Sequence, residues 1–422
     1  MLVLAAACSG AHRSSEITNA DADSRATCAW QWTAPETLLY HGAPFAFGGM
    51  GGTPRAAPLG TSLVLIGDGL SISSEPPNSS RRRYGMSIDA RGGVEPLALP
   101  PFIAQTRGVS MWALPAARAS VHLLWKTFPE RPVHVVHVST DGSRWSIPDT
   151  VFSASDEMTE AHVAAAAGDD VVVALPTNDA QLSGIVVGTR VSGRWDVSRF
   201  SVEHAAIVEL SLAVAMNDFG ATVVYVRPAP SAGRAGAAPG LYARHRAFRG
   251  GWGPETLVRV GPAYSPIPLY ATDGTFHVLW RGMGTDSMVL RHAASRDFTT
   301  WQLNQVPLPR DVQGMDAVAE GDGARIVMQQ SDRANASDIK YAHLVTLSLD
   351  RSGFSAFETL AVAGPVSSPT ISRIAGDTSI LIWSGQRLFS YSTSTPGHGP
   401  TQFTSLVPVT LLSRHVGDCR RR

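Results

Sequence analysis

Residues 276–306 have the sequence FHVLWRGMGTDSMVLRHAASRDFTTWQLNQV, in which three short strand-like runs are separated by two turns. The same layout recurs at residues 121–152, VHLLWKTFPERPVHVVHVSTDGSRWSIPDTVF. Both copies place a histidine three residues before the first tryptophan, and both end a turn containing serine and aspartate on a second tryptophan. A unit of this size that recurs along a chain indicates a solenoid, an array or a propeller.

A second signature marks the ends of units: an aromatic residue is followed by proline, an acidic residue, threonine and an aliphatic residue. It occurs at residues 32–38, 145–151 and 252–257, and in a weaker form at 357–360. An aromatic residue that opens a short β-rich run is typical of an outer strand packed on its neighbour. The N-terminal copy has no unit before it, so we expect residues 30–40 to supply the outer strand of the last unit.

Seven apolar runs are expected to form the central strands of the units: 63–66, 121–125, 171–175, 222–226, 276–280, 325–328 and 380–383. Their spacing of roughly fifty residues is typical of propeller blades. We therefore predict an all-β fold, a β-propeller of seven four-stranded blades that forms one domain over residues 28–419 and is closed by the N-terminal outer strand. Six blades are the alternative, because the units around Val171 and Ile380 are weakly marked. Residues 161–167 could form a helix, but their position before a central strand favours an inner strand of small residues.

Composition excludes several classes of function. Of the 422 residues, 44% are hydrophobic and 17% are charged, and the net charge is zero, so the basic stripe of a nucleic-acid-binding protein is absent. The three cysteines lack metal-ligand spacing, and no GxSxG elbow, HExxH motif or phosphate-binding loop is present. We expect no metal, no other cofactor, no nucleic-acid partner and a monomeric protein.

The N-terminal residues MLVLAAACS resemble the end of a bacterial lipoprotein signal peptide, in which small residues precede the lipidated cysteine. The resemblance implies that Cys8 carries the lipid and that residues 1–27 are a signal remnant followed by a flexible tether. It also implies export to the outer membrane, the cell surface or the periplasm, with the lipid anchor as the contact with the membrane. The alternative is a buried or frayed apolar N-terminus.

The order His-x-x-Trp, loop, strand, Ser-x-Asp and Trp resembles the Asp-box repeat of sialidase-like β-propellers. The best copies contain these residues: Ser139, Asp141 and Trp145 in one, and Ser295, Asp297 and Trp301 in the other. The aspartate can accept hydrogen bonds from the backbone of its own turn, and the tryptophan can cover that turn. The resemblance implies that these residues are structural and lie on the face opposite an active site. The Arg-Ile-Pro motif of sialidases is absent, so catalysis is not expected.

On a propeller, the loops from central to third strands and from outer to inner strands share one face around the central channel. The candidate binding residues on that face are Arg81, Asp156, Glu157, Tyr264, Arg281 and Asp311. A mixed ring of arginines and carboxylates can orient a sugar or a peptide, although each residue alone can equally be a solvated loop charge. Histidines that recur at one position of the unit, such as His137 and His292, indicate blade packing rather than a metal cluster.

Three functions fit these observations. The leading hypothesis is an exported, lipid-anchored module that binds a glycan, a peptide or a protein at the bacterial cell surface. The alternatives are a sialidase-like glycoside hydrolase and a scaffold in an envelope complex. Buried carboxylates with shifted pKa values would favour the enzyme, and an apolar patch on the rim would favour the scaffold.

Closure of the ring also predicts a disulfide bond. Cys28 lies just before the orphan outer strand and Cys419 just after the last unit, so pairing of the chain ends brings the two cysteines together. Disulfides persist in the compartments that exported proteins reach. The alternative is two free thiols at frayed chain ends.

Overall fold

Seven antiparallel sheets follow one another around a ring in the computed structural model of the protein. The structure describes residues 28–419 except for residues 42, 48–54, 72–81, 105–110, 117–119, 128–132, 155–162, 178–183, 203–210, 228–237, 249, 286, 310–311, 332–341, 361–366, 375–377 and 394–400. Each sheet is one blade, and the predicted all-β fold with seven blades is confirmed. Among the described residues, no helix is both long and apolar enough to cross a membrane.

The first two strands belong to the last blade: β1 (Cys28–Trp32) and β2 (Glu36–Thr37). Blade 1 contains β3 (Leu39–Tyr40), β4 (Ala43–Phe47), β5 (Arg55–Leu59), β6 (Ser62–Ser71), β7 (Arg82–Asp89) and β8 (Val94–Pro96), followed by the one-turn helix α1 (Pro101–Ala104). Blade 2 contains β9 (Met111–Ala116), β10 (Ser120–Lys126), β11 (Val133–Thr140) and β12 (Asp149–Ala154). Blade 3 contains β13 (Val163–Ala167), β14 (Asp170–Thr177), β15 (Gly184–Val191) and β16 (Arg194–Ser201).

The remaining blades follow the same order of inner, central, third and outer strands. Blade 4 contains β17 (Leu212–Asn217), β18 (Gly220–Arg227), β19 (Gly240–Ala247) and β20 (Thr256–Val260). Blade 5 contains β21 (Tyr264–Tyr270), β22 (Phe276–Met283), β23 (Met288–Ser295) and β24 (Gln302–Pro307). Blade 6 contains β25 (Val312–Glu320), β26 (Gly323–Ser331), β27 (Ala342–Asp350), β28 (Gly353–Phe354) and β29 (Glu358–Leu360). Blade 7 contains β30 (Ser367–Arg373), β31 (Ser379–Thr393) and β32 (Thr401–Cys419), with β1 outermost.

The innermost strands surround the axis of the ring. They contact each other in the order β5, β9, β13, β17, β21, β25 and β30, and β30 returns to β5. The β13 sequence, VAAAA, shows the small residues of this position. Alanine suits an inner strand because seven strands approach one axis. The described part of the run at 161–167, Val163–Ala167, is therefore a strand, as its position predicted.

The hydrophobic core is divided into seven clusters, each between two neighbouring blades. Successive side chains of a central strand point to opposite faces of its sheet and so enter two different clusters. In β22, Phe276, Val278 and Trp280 pack toward blade 4, whereas Leu279 packs toward blade 6. Both faces of a central strand are buried, which explains why the central runs are mostly apolar and do not alternate between apolar and polar residues.

Pairing of the two chain ends closes the ring. Strand β1 lies beside β32 in an unbroken antiparallel register that places Cys28 opposite Cys419, and β2 pairs with the same strand. One detail corrects the prediction, because β3 pairs with β4 of blade 1 instead. The chain passes from blade 7 to blade 1 at Leu38. The Leu38 N–H donates to the carbonyl oxygen of Thr410 in blade 7, and the Leu38 carbonyl oxygen accepts from the N–H of Phe45 in blade 1. No disulfide bond is present among the described residues.

The two faces of the ring carry different connections. The turn face carries the connections from inner to central strands and from third to outer strands. The loop face carries those from central to third strands and from each outer strand to the next blade.

Candidate functional site

Two of the six predicted binding residues can be placed on the loop face. Tyr264 begins β21, is exposed, and lies opposite Arg281 of β22. The Arg281 guanidinium donates to Ser265 Oγ at 3.1 Å and to the carbonyl oxygen of Val312 in blade 6 at 3.2 Å. The structure therefore brings Tyr264 and Arg281 to one position near the loop face. The other four candidates lie outside the described residues: Arg81, Asp156, Glu157 and Asp311.

The two turns that resemble Asp boxes lie on the turn face. Asp141 Oδ1 accepts from the backbone N–H groups two and three residues further on, at 2.9 and 2.8 Å. Asp297 Oδ1 makes the same two bonds, both at 2.8 Å. These bonds lower the pKa of Asp141 to about 2 and hold the pKa of Asp297 below its ordinary value. In blade 5, Ser295 Oγ also accepts from the N–H of Phe298, at 2.9 Å.

The residue after each aspartate adopts a left-handed conformation. It is Gly142 in blade 2, with φ of 90°, and Phe298 in blade 5, with φ of 59°. A non-glycine residue in this region is strained, and packing must compensate. The Phe298 ring stacks on His245 of blade 4, with 4.1 Å between centroids, and meets Trp301 edge-on. In blade 2 the equivalent Trp145 donates its indole N–H to the carbonyl oxygen of Ala98.

Blade 2 contains a buried pair of histidines on adjacent strands. Nδ1 of His122 lies 3.0 Å from Nε2 of His137, and Nε2 of His122 lies 3.2 Å from the carbonyl oxygen of Gly168 in blade 3. Burial lowers the pKa of both rings, that of His137 to about 3, so both are neutral at pH 7. A carbonyl oxygen can only accept, so His122 carries its hydrogen on Nε2 and accepts from His137 through Nδ1.

Blade 3 also covers this pair with an aromatic ring. The Trp195 indole meets His137 edge-on, with 5.6 Å between centroids, and donates its N–H to Asp149 Oδ2 at 2.8 Å. Asp149 is the neighbour of His137 across the sheet. The histidine pair of blade 2 is thus closed by a carbonyl group on one side and an indole on the other.

The equivalent pair in blade 5 lacks the carbonyl contact of blade 2 and is called the open pair below, whereas the pair in blade 2 is called the closed pair. Nδ1 of His277 lies 2.9 Å from Nε2 of His292, and burial lowers the pKa of both rings, that of His292 to about 3. Nε2 of His277 and Nδ1 of His292 are buried, and neither has a hydrogen-bond partner among the residues that the structure describes. Gly321 occupies the turn position of Gly168, with the same φ of 59°. Its carbonyl oxygen accepts instead from the N–H and the hydroxyl of Thr272, at 3.0 and 2.7 Å.

Both rings of the open pair line a cavity of about 520 Å³ on the turn face between blades 5 and 6, called the interblade cavity below. Its polar lining residues are Asp273, Thr275, His277, His292, Ser295, Arg296, Asp297, Thr300, Gln302, Asn304, Asp322, Asp350 and Arg351. A smaller hollow of about 310 Å³ shares His292, Leu303 and Asn304 with it. The interblade cavity therefore lies on the turn face, not on the loop face where the candidate binding residues were expected.

Ion pairs occupy both arginines of the interblade cavity. Arg296 donates to Asp273 Oδ2 at 2.6 Å, and Arg351 donates to Asp322 Oδ2 at 2.5 Å. Hydrogen bonds from Thr275 and the Arg296 guanidinium lower the pKa of Asp273 to about 2. Four aspartates and two arginines line the cavity, which gives a formal charge balance of −2 with the histidines neutral.

The interblade cavity was not among the sites expected from the sequence. The two histidines of the repeat were visible, but the same motif is closed in blade 2 and open in blade 5. A usable signal lies in the preceding turn, which has five residues (ATDGT) between β21 and β22 and only three between β9 and β10. The longer turn supplies Thr272, which accounts for the different use of the glycine carbonyl.

A second polar cluster lies inside blade 4. Tyr225 donates its hydroxyl to Glu255, and Arg227 donates to the same oxygen, Oε2, at 2.7 Å. Burial raises the pKa of Glu255 to about 7, while the adjacent Arg227 guanidinium favours the charged carboxylate. Tyr225 is fully buried. Within the described part of the chain, no three His, Cys, Asp or Glu side chains are grouped so that they could hold a metal ion.

Comparison with known proteins adds information about the fold. No protein-family model matches the chain, and no curated protein sequence is similar to it. The polysaccharide lyase Uly1 is similar over 86% of this chain and 89% of its own, with 10% identity and a TM-score of 0.52. An ulvan lyase of polysaccharide lyase family PL25 is similar over 87% and 96%, with 13% identity and a TM-score of 0.50.

The chain is a seven-bladed β-propeller. A neuraminidase-like protein from A/bat/Guatemala is also similar to it, over 73% of this chain and 88% of its own, with 9% identity and a TM-score of 0.41. At these identities the comparisons establish the architecture of the propeller and leave its ligand to be argued from its own residues.

Proposed function

We propose that the protein is an exported, lipid-anchored propeller that binds carbohydrate in the interblade cavity. The observation that carries this proposal is a polar cavity lined by His277 and His292, each of which has one buried nitrogen atom without a hydrogen-bond partner among the described residues. Buried polar atoms are normally hydrogen-bonded, and exceptions concentrate where a ligand or a water completes the bonding. Carboxylate, amide and imidazole groups together offer the donors and acceptors that sugar hydroxyl groups require.

Size and fold are consistent with this class of ligand. The cavity volume of about 520 Å³ falls within the usual range for small-molecule sites, about 300–1,000 Å³. The two solved propellers of highest similarity named above are polysaccharide lyases, so the architecture can carry carbohydrate chemistry. An envelope scaffold would instead call for an apolar patch on the rim, whereas the interblade cavity is lined by charges and amides.

A glycan panel tests the proposal. The purified wild type is expected to bind at least one glycan, and Asn304→Ala is expected to weaken that binding by about ten-fold, because one hydrogen-bonding side chain of the cavity is lost. Asp149→Ala is the matched control, since Asp149 and Asn304 are the cross-strand neighbours of equivalent histidines. Absence of binding to every glycan, or binding that Asn304→Ala does not change, would contradict the proposal.

Export and anchoring depend on the N-terminal residues, which lie outside the described part of the chain. Lipidation of Cys8, with residues 9–27 as the tether, predicts that Cys8→Ser moves the protein from the membrane to the soluble fraction. A variant that stays with the membrane, or a wild type that is already soluble, would show that the anchor is wrong.

A disulfide between Cys28 and Cys419 is the second part of the export proposal. The N–H of Thr33 donates to the carbonyl oxygen of Arg414, which marks that position of the β1–β32 ladder as hydrogen-bonded. Because hydrogen-bonded and non-bonded pairs alternate along the unbroken register, Cys28 and Cys419 form a non-bonded pair. Such pairs have Cα atoms about 4.5 Å apart, which a disulfide can span. Thiol labelling of the mature, non-reduced protein should find neither cysteine free.

A sialidase-like glycoside hydrolase is the second candidate, supported by the Tyr225–Glu255 pair beside Arg227. A carboxyl group with a raised pKa can act as an acid or a base near neutral pH. The buried position of Tyr225 makes this function secondary to binding. Hydrolysis of a fluorogenic sialoside by the wild type, abolished in Glu255→Gln, would promote it.

A further inference from the structure

We propose that the interblade cavity selects neutral sugars, whose adjacent hydroxyl groups bond to the His277–His292 pair, over sugars that carry a carboxylate. This inference rests on the proposed function, because it names the class of carbohydrate that the same cavity takes. His277 is 5% exposed and His292 is 7% exposed, and each ring has one nitrogen without a partner in the described part of the chain. Blade 2 shows how the protein satisfies the same pair where no ligand is required.

The histidine pair presents one donor and one acceptor in either tautomeric arrangement. The two neutral rings share one hydrogen between Nδ1 of His277 and Nε2 of His292. One further hydrogen remains, and it must lie on one of the two outer nitrogen atoms, which leaves the other bare. Two adjacent hydroxyl groups match either arrangement, because each hydroxyl can donate or accept. A carboxylate can only accept, so it would leave the bare nitrogen unpaired.

The charges around the pair oppose an anionic ligand as well. The guanidinium groups of Arg296 and Arg351 are already paired with Asp273 and Asp322. Asp297 holds its own turn through Oδ1 and remains a charged member of the lining. A sugar carboxylate would therefore meet a cavity with a negative balance, whereas sugar hydroxyl groups can donate to these carboxylates.

Matched methyl glycosides test this selectivity. Methyl glucoside and methyl galactoside are compared with the corresponding methyl glucuronide and galacturonide, which differ in carrying a carboxylate at C6. We expect the wild type to bind a neutral member at least about ten-fold more tightly than its acidic counterpart. His292→Phe is expected to remove this binding, whereas His137→Phe, the same change in the closed pair, is expected to leave it intact. Circular dichroism and thermal melting confirm that each variant is folded.

The outcomes separate this inference from the proposed function. Equal or tighter binding of the uronides overturns the selectivity, and if that binding still depends on Asn304, carbohydrate binding by the cavity stands. Neutral-sugar binding that is unchanged in a folded His292→Phe variant overturns the role of the histidine pair. Failure to bind any glycoside or glycan overturns both proposals.

Discussion

Blades 2 and 5 each contain a pair of hydrogen-bonded histidines, fifteen residues apart in the sequence. The two pairs differ in the contacts that the neighbouring blade makes with them. In blade 2 the neighbouring blade supplies the Gly168 carbonyl and the Trp195 indole. In blade 5 the corresponding glycine carbonyl is bound elsewhere, and the ring facing His292 is that of Phe354, with 6.1 Å between centroids. The comparison teaches that a buried polar motif is structural where its neighbours complete its hydrogen bonds, and available to a ligand where they do not.

Lowering the pH should have the largest effect on the free energy of unfolding, because it protonates histidines of both pairs. Burial lowers the pKa of His137 and of His292 to about 3, against about 6.5 in an unfolded chain. The unfolded chain therefore binds more protons between these values. Stability is complete above about pH 6.5 and falls as the pH drops toward 3, by up to about 1.4 kcal/mol per pH unit for each histidine.

Denaturant unfolding at several pH values measures this slope. We expect the free energy of unfolding to be several kcal/mol lower at pH 4.5 than at pH 7, and the slope to be shallower in the double variant His137→Phe/His292→Phe. The aspartates with lowered pKa values change the stability only below about pH 4, because an unfolded aspartate is ionised above that pH as well. An unchanged slope in the double variant would show that the two pairs are not neutral in the native protein.

Single substitutions should distinguish the pairs. His137→Phe leaves Nδ1 of His122 unpaired in a closed site, and we expect it to lower the free energy of unfolding by about 2 kcal/mol. His292→Phe likewise leaves Nδ1 of His277 unpaired, but it also removes the unpaired Nδ1 of His292, so its expected cost is smaller, about 1 kcal/mol. Urea unfolding curves measure both values. Equal costs would mean that the open pair is completed by ordered water rather than held for a ligand.

Phe354→Trp should make blade 5 more like blade 2. An indole facing His292 could donate to Asn304, which occupies the cross-strand position of Asp149. We expect stability to change by less than about 1 kcal/mol and affinity for the glycan to fall by about ten-fold, because the added ring fills the neighbourhood of the pair. Calorimetric titration measures the affinity. The conservative change Phe354→Tyr, which enlarges the ring least, is the control.

Thr272→Ala should have the smallest effect. It removes one hydroxyl bond to the Gly321 carbonyl oxygen and leaves the backbone bond in place, so we expect a loss of about 0.5–1 kcal/mol. The carbonyl oxygen then has more capacity to accept from His277, as Gly168 accepts from His122. Nitrogen chemical shifts of the His277 ring report which atom carries the hydrogen. Shifts identical to those of the wild type would show that Thr272 does not control the pair.

The local features of this chain followed from its sequence. The seven central runs are mostly apolar without a strict alternation, and this pattern alone indicates strands that are buried on both faces. The Asp141 and Asp297 turns are equally local, because each carboxylate bonds to groups two and three residues away. Ring closure was also predictable, since an outer-strand signature without its own unit leaves the last blade as its partner.

Tertiary structure decided which repeat could become a site. His122 and His277 occupy the same position in their units, so nothing in either strand distinguishes a closed pair from an open one. The difference comes from turns 44 to 46 residues further along the chain, where Gly168 faces one ring and Gly321 is bound by Thr272. Hydrogen bonds between blades depend on the placement of two separate sheets to within a few tenths of an ångström. Sequence periodicity determines which strands form, but such distances exist only after the blades have packed.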